Sequence, residues 1–173
     1  MRQFKLCTED QHWWTLNDYG AVVDVVMQLE SPTVLEFGPG TSTLALIEGG
    51  ARHIDACEDD PEWMDVYRPR IGDRFPEIVT FHPYTLTDPL TVPALNGNRY
   101  DLALVDAPRN TLLREPVFVY ALEHAARVMM PLEETGGRPG HLRPIVLALA
   151  QRYGKRVEMI DSGFAAGTFA LLT

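Results

Sequence analysis

The stretch Val34-Leu35-Glu36-Phe37-Gly38-Pro39-Gly40-Thr41-Ser42-Thr43 most constrains what this chain can fold into. It reads as a buried strand that ends in a glycine turn and runs straight into a helix. Such a construction belongs to a sheet with helices on its faces, and it aims backbone N–H groups and a helix N-terminus at an anionic or polar ligand. Glu58 follows eighteen positions after Gly40, at the end of a second apolar run, where a ribose-binding carboxylate would sit.

Periodicity along the rest of the chain extends the pattern. Tyr19, Val22, Val23, Val26 and Leu29 recur at helical spacing, in a helix that Pro32 closes. Thr33–Phe37 and His53–Cys57 are short apolar strands, and Ser42–Glu48 is a helix stopped by Gly49-Gly50. Asp60-Pro61 is an N-cap followed by proline, and the helix it opens is expected to turn Trp63, Val66 and Tyr67 inward. Ile78–Phe81 is a third strand, Thr85–Gly97 a proline-containing loop, and Leu102–Val105 a fourth strand ending at Asp106. A helix is expected over Pro116–Ala126, a strand over Val128–Leu132, and a glycine-rich loop over Thr135–Gly140. Pro144–Tyr153 is a helix with Gly154 at the C′ position. Val157–Ile160 and Thr168–Leu172 are joined by seven residues, too few for a crossover helix, so they should pair antiparallel.

Strand–helix alternation ending in an antiparallel hairpin predicts an α/β fold. It is a three-layer α-β-α sandwich around a mostly parallel seven-stranded sheet. With no repeat or linker in 173 residues, we expect one domain over 1–173, residues 1–31 supplying an N-terminal segment and helix. Glu36, Glu58, Phe81–Tyr84, Asp106 and Glu133 all fall at strand carboxyl ends, the edge where such sheets bind ligands.

A formal charge of −9 argues against broad phosphate-backbone binding, so no nucleic acid partner is expected, although Arg138, His141 and Arg143 lie close together. No apolar run is long enough to span a bilayer, and Met1-Arg2-Gln3-Phe4-Lys5 is not a secretory signal. Cys7 and Cys57 are far apart and lack metal-ligand spacing, which fits a cytoplasmic protein with reduced thiols.

Over nearly its whole length the chain resembles the class I S-adenosylmethionine-dependent methyltransferases, and among them the small O-methyltransferases. The residues that carry the resemblance are Glu36 to Thr43, Glu58, and Tyr100-Asp101-Leu102-Ala103-Leu104-Val105-Asp106-Ala107-Pro108-Arg109, together with the terminal hairpin. It implies S-adenosylmethionine as cofactor, with its methionine part over Glu36, Gly38, Pro39 and Gly40 and the first helical residues Thr41, Ser42 and Thr43. Its ribose would be held by Glu58, and its adenine would pack near Asp59, Tyr84 and Thr85. Thr43 stands where a dinucleotide-binding turn has its third glycine, and Glu36 is awkward beside a pyrophosphate but suits an ammonium, directly or through water.

Asp106 is the candidate to orient or deprotonate the acceptor, or else a strand-end cap; Arg109 is the candidate to hold an anionic or polar acceptor. Asp106-Ala107-Pro108-Arg109 resembles the Asp-Gly-Pro-Arg of O-methyltransferases acting on glucuronoxylan-type polysaccharides, with Ala107 the departure. Asp106 with Glu133 or Glu134 could ligate magnesium as in catechol-type enzymes, but the Asp-Asn pair of those enzymes is missing, and a solvated acidic loop is the favoured reading. His12-Trp13-Trp14 is either an apolar lid or a dock for the first helix, and His141 is the best histidine for the acceptor side. His82 and His124 are expected to be structural or exposed. The expected function is methyl transfer to a small-molecule or saccharide acceptor, at oxygen. A non-catalytic cofactor- or partner-binding relative and a nicotinamide-dependent oxidoreductase are the alternatives. The sequence leaves metal dependence and a homodimer open.

Overall fold

The computed structural model describes residues 5–6, 16–87, 89–95, 97–108, 113–132, 142–161 and 168–173. Its elements follow the order α1 (Leu16–Met27), β1 (Thr33–Phe37), α2 (Thr41–Glu48), β2 (His53–Glu58), α3 (Pro61–Tyr67), β3 (Val79–Pro83), β4 (Tyr100–Val105), α4 (Glu115–His124), β5 (Ala125–Pro131), α5 (Leu142–Arg152), β6 (Val157–Asp161) and β7 (Thr168–Leu172). The seven strands form one sheet in the order β3-β2-β1-β4-β5-β7-β6. β1 to β5 are parallel, while β7 runs antiparallel to both β5 and β6.

The central strands β1, β2 and β4 are mostly apolar and almost wholly buried, because helices cover both faces of the sheet, with Glu36, Asp55 and Glu58 as buried acids among them. Val34, Ile54, Leu102 and Leu104 bury against α1 and α2, through Tyr19, Val22, Val23, Val26 and Leu46. Leu35, Phe37, Ala103 and Val105 bury on the other face, with Val117, Phe118 and Val146 of α4 and α5. Leu90, Val92 and Leu95 also bury there, pinning the proline-containing segment, which folds into a 3₁₀ turn at Pro93–Leu95.

Two local signals act as the sequence predicts. Asp60 caps α3, its Oδ1 accepting the N–H groups of Glu62 at 2.9 Å and Trp63 at 3.3 Å. Gly154 takes φ +63, and the N–H of Lys155 reaches back to the Ala150 carbonyl at 2.8 Å, closing α5 with a Schellman turn. Helix boundaries shift. α4 stops at His124 because Ala125 is already extended and paired to Tyr100. α5 starts two residues early, since Pro144 at its third position gives up no intrahelical hydrogen bond.

The inward face expected for α3 is a correction. Val66 is 39% exposed, Trp63 and Tyr67 are half-buried, and no residue of the helix is fully enclosed. The chain runs on into a π-helical turn over Arg68–Gly72, and Ile71, 2% exposed, supplies the anchor.

Candidate functional site

Register places the strand ends side by side. Phe37 pairs with Cys57 and Val105, and Glu58 pairs with Pro83. Backbone hydrogen bonds carry the ladder one residue further: Gly38 N–H to Cys57, Asp106 N–H to Phe37 and Tyr84 N–H to Glu58. β1 and β4 run parallel, but the order in which successive strands are laid down reverses between them, so the glycine turn and Asp106 flank the switch point where open α/β sheets bind ligands.

Gly38 makes that closeness feasible. It has φ +89, and a Cβ there would lie 3.0 Å from Ala107 Cβ and 3.1 Å from the Asp106 carbonyl carbon. Gly38→Ala combines backbone strain with a collision and is expected to cost roughly 2 kcal/mol. Urea denaturation tests this; an unchanged midpoint would show that the β1 and β4 ends separate freely.

Glu36 is wholly enclosed. Its Oε1 accepts the Ser42 hydroxyl at 2.6 Å and its Oε2 the Thr43 hydroxyl at 2.7 Å. Thr43 Oγ1 in turn accepts the Gly40 N–H at 2.9 Å. The carboxyl therefore braces the first turn of α2 from behind the glycine turn. Removal from water pushes its pKa up to about 8; the two hydroxyls oppose this, and the charges of Asp106 and Glu58 add to it. The first N–H groups of α2, on Thr41 and Ser42, precede the first helical hydrogen bond.

Glu58, 5% exposed, has Oε1 fixed by the N–H groups of Asp59 at 3.0 Å and Asp60 at 2.9 Å. Burial, partly offset by the Asp60 N–H and reinforced by the Asp59 charge, moves its pKa up to about 7. Tyr84 is buried edge-to-face on Phe37, at 5.4 Å, and its hydroxyl donates to Asp59 Oδ1 at 3.3 Å. Thr85 lies exposed at the rim.

Two features of this edge had no sequence signal. Arg114 is 4% exposed although it precedes α4 by one residue. Its Nε donates to the Pro108 carbonyl at 2.8 Å and its Nη2 to the Asp106 carbonyl at 2.9 Å, while Nη1 lies 3.5 Å from Asp106 Oδ1. The guanidinium thus grips the Asp106–Pro108 segment from inside and leaves Asp106 one-third exposed at the strand end. The other is Trp63, whose indole N–H donates to the Pro39 carbonyl at 2.8 Å. A lone arginine and a helical tryptophan look ordinary in sequence; only the fold brings them to the edge.

Arg109, His12, Trp13, Trp14, Glu133, Glu134, Arg138 and His141 lie outside the described residues. Among the described residues there is no group of three or more His, Cys, Asp or Glu side chains able to hold a metal ion. His82 bonds Asp55 at 2.7 Å, and His124 bonds the Tyr120 carbonyl at 2.8 Å, so both are structural. Burial pushes the Cys57 thiol up, which suits a core residue. No described helix is long and apolar enough to cross a membrane.

This topology is the fold of the class I S-adenosylmethionine-dependent methyltransferases. No family model matches the sequence, and no curated protein matches it either. Solved structures do. A candidate RNA methyltransferase from Pyrococcus horikoshii is 16% identical with a TM-score of 0.65, over 100% of this chain and 92% of that one. The methyltransferase domain of bacterial CtHen1-C is 16% identical with a TM-score of 0.68, over 92% of this chain and 98% of that one. Magnesium protoporphyrin IX methyltransferase from Synechocystis PCC 6803, solved with bound S-adenosylmethionine, is 14% identical with a TM-score of 0.64, over 91% and 78%. At these identities the likeness concerns the fold, and the residues of the edge must carry any function.

Proposed function

We propose that this chain is an S-adenosylmethionine-dependent methyltransferase whose acceptor is a small molecule or saccharide, methylated at oxygen. The observation that carries the reading is the chemistry of the strand ends: carboxylates of Glu36, Glu58 and Asp106 surround a glycine turn. Ionisation of Glu36 and Glu58 is already costly there, so a sulfonium and an ammonium are favoured beside them as partners for the ionised form, while a pyrophosphate would only press both further toward the neutral acid. The donor set fits the cofactor. Thr41 and Ser42 N–H groups suit its carboxylate, and the second oxygen of Glu58 suits a ribose diol. Tyr84 and Asp59 bound the adenine side, with Thr85 at its rim. Bound there, the cofactor supplies an electrophilic methyl group.

The chain's own part is to hold the acceptor in line and to take its proton. Asp106, at the strand end beside Gly38 and steadied by Arg114, is the group for both tasks; from the sequence, Arg109 is the candidate to hold a polar or anionic acceptor. The net charge of −9 favours an acceptor other than a nucleic acid, although proteins of this fold include RNA enzymes.

Isothermal titration with S-adenosylmethionine is expected to show one site, and no heat from folded protein would refute the reading. Enhanced NADH fluorescence in place of that heat would favour a nicotinamide site. Glu58→Ala is expected to weaken S-adenosylmethionine by about 2 kcal/mol, the value of charged hydrogen bonds to a diol. Unchanged affinity would remove Glu58 from the cofactor site. Cofactor binding without methyl transfer to any of a broad panel of hydroxylated acceptors would instead indicate a non-catalytic relative.

A further inference from the structure

We infer that Trp63 is a positioning residue for the cofactor turn: its indole N–H fixes the plane of the Pro39–Gly40 peptide, and with it the donors that the turn presents. The inference rests on the S-adenosylmethionine reading of this edge. In a trans peptide the carbonyl and the N–H point in opposite directions, so two partners are needed to stop the unit from rotating. This one has both. Trp63 Nε1–H donates to the Pro39 carbonyl at 2.8 Å, and the Gly40 N–H donates to Thr43 Oγ1 at 2.9 Å. Thr43 is itself held, since its hydroxyl donates to the buried Glu36 at 2.7 Å.

The two anchors come from different elements. Glu36 and Thr43 hold the turn from β1 and α2, while Trp63 reaches it from α3, across 24 residues of sequence. Asp60 fixes the start of α3 through the N–H of Trp63 itself, and the Tyr67 ring packs against the indole in a tilted arrangement, at 4.6 Å and 38°. The indole is therefore held at its backbone and along its ring, leaving little freedom to release the carbonyl. Freed from it, the peptide would pivot about its neighbours, and Gly40, with no side chain to brake it, would pass that motion to the Thr41 and Ser42 N–H groups. A turn that must be ordered on binding costs affinity, and one held in advance does not.

The experiment uses the full chain, S-adenosylhomocysteine titrations and backbone amide exchange at Gly40. Trp63→Phe keeps the ring and removes the donor. It is expected to weaken S-adenosylhomocysteine about three- to tenfold, the worth of one neutral hydrogen bond, and to speed exchange at Gly40. Trp63→His, which keeps a ring N–H, is expected to recover most of both losses. Wild-type affinity or wild-type Gly40 exchange in Trp63→Phe would overturn the inference. So would equal losses in the Phe and His variants, which would assign Trp63 to packing. Absence of S-adenosylhomocysteine binding by the wild-type chain counts against the cofactor reading, and Gly40 exchange then still judges the clamp by itself.

Discussion

Replacing Glu36 by Gln is expected to stabilise the protein increasingly as the pH rises. The carboxyl is wholly enclosed, and among the described residues it has no cationic partner; its folded pKa stands near 8 against 4.5 when the chain is open. Between those values the folded state holds a proton that the unfolded state has lost, so wild-type stability falls with rising pH. The slope is about 1.4 kcal/mol per pH unit, which accumulates to roughly 4 kcal/mol by pH 8. Gln reproduces the neutral acid, with one acceptor and donors for the Ser42 and Thr43 hydroxyls, and cannot ionise. The urea stability curves of the two proteins should therefore meet below about pH 4.5, diverge up to about pH 8, and run parallel beyond. Curves that stay parallel throughout would show that Glu36 is ionised in the folded chain. Since a cationic cofactor favours the ionised form, saturating S-adenosylmethionine is expected to narrow the gap.

Asp55→Ala is expected to cost roughly 3 kcal/mol of stability at neutral pH. Asp55 lies outside the candidate site, on β2, and is 5% exposed. Its Oδ1 lies 2.7 Å from His82 Nε2 of β3 and 3.2 Å from His53 Nε2; its Oδ2 accepts the Tyr100 hydroxyl at 2.8 Å. Tyr100 belongs to β4, so the carboxylate links strands on either side of β1. Burial raises its pKa, but the bonds from His82 and Tyr100 and the neighbouring His53 outweigh this and leave it below the usual value of 3.8. The sign is opposite to that of Glu36. The contribution is fully present above about pH 4 and is lost as pH falls through the depressed folded value. Thermal or urea unfolding should show the variant's deficit at pH 7 shrinking toward pH 3. A deficit that does not change with pH would mean that Asp55 contributes packing and no charge.

These two carboxylates also mark how far sequence reading reaches. Glu36 is legible as an acid at a strand end because its position relative to Gly38 and Gly40 is local. Its enclosure is not legible, since it depends on α2 folding back so that Ser42 and Thr43 close over it. Asp55 carries no motif, and apart from His53 on its own strand its partners lie 27 and 45 residues away, brought to it by strand pairing. Spacing points to Glu58 as a ribose partner, and the resemblance points to Asp59 and Tyr84 on the adenine side. Arg114 and Trp63 were missed because their contacts are to backbone carbonyls, which no residue pattern encodes. The expected burial of Val66 failed for a related reason: helical periodicity gives a face but not what stands opposite it, and here Ile71 of the following turn took that role.

The sequence by itself determined the elements and their order, the turn at Gly38–Gly40, the cap at Asp60, the stop at Gly154 and the antiparallel closing pair. Each of these rests on interactions within a few residues, or on a periodicity that only one face of a helix or strand can satisfy. The tertiary structure decided the order of strands, the enclosure of Glu36 and the raised pKa values of Glu36 and Glu58. It decided them because desolvation and long-range hydrogen bonds depend on what the fold removes from water, and no run of neighbouring residues specifies that.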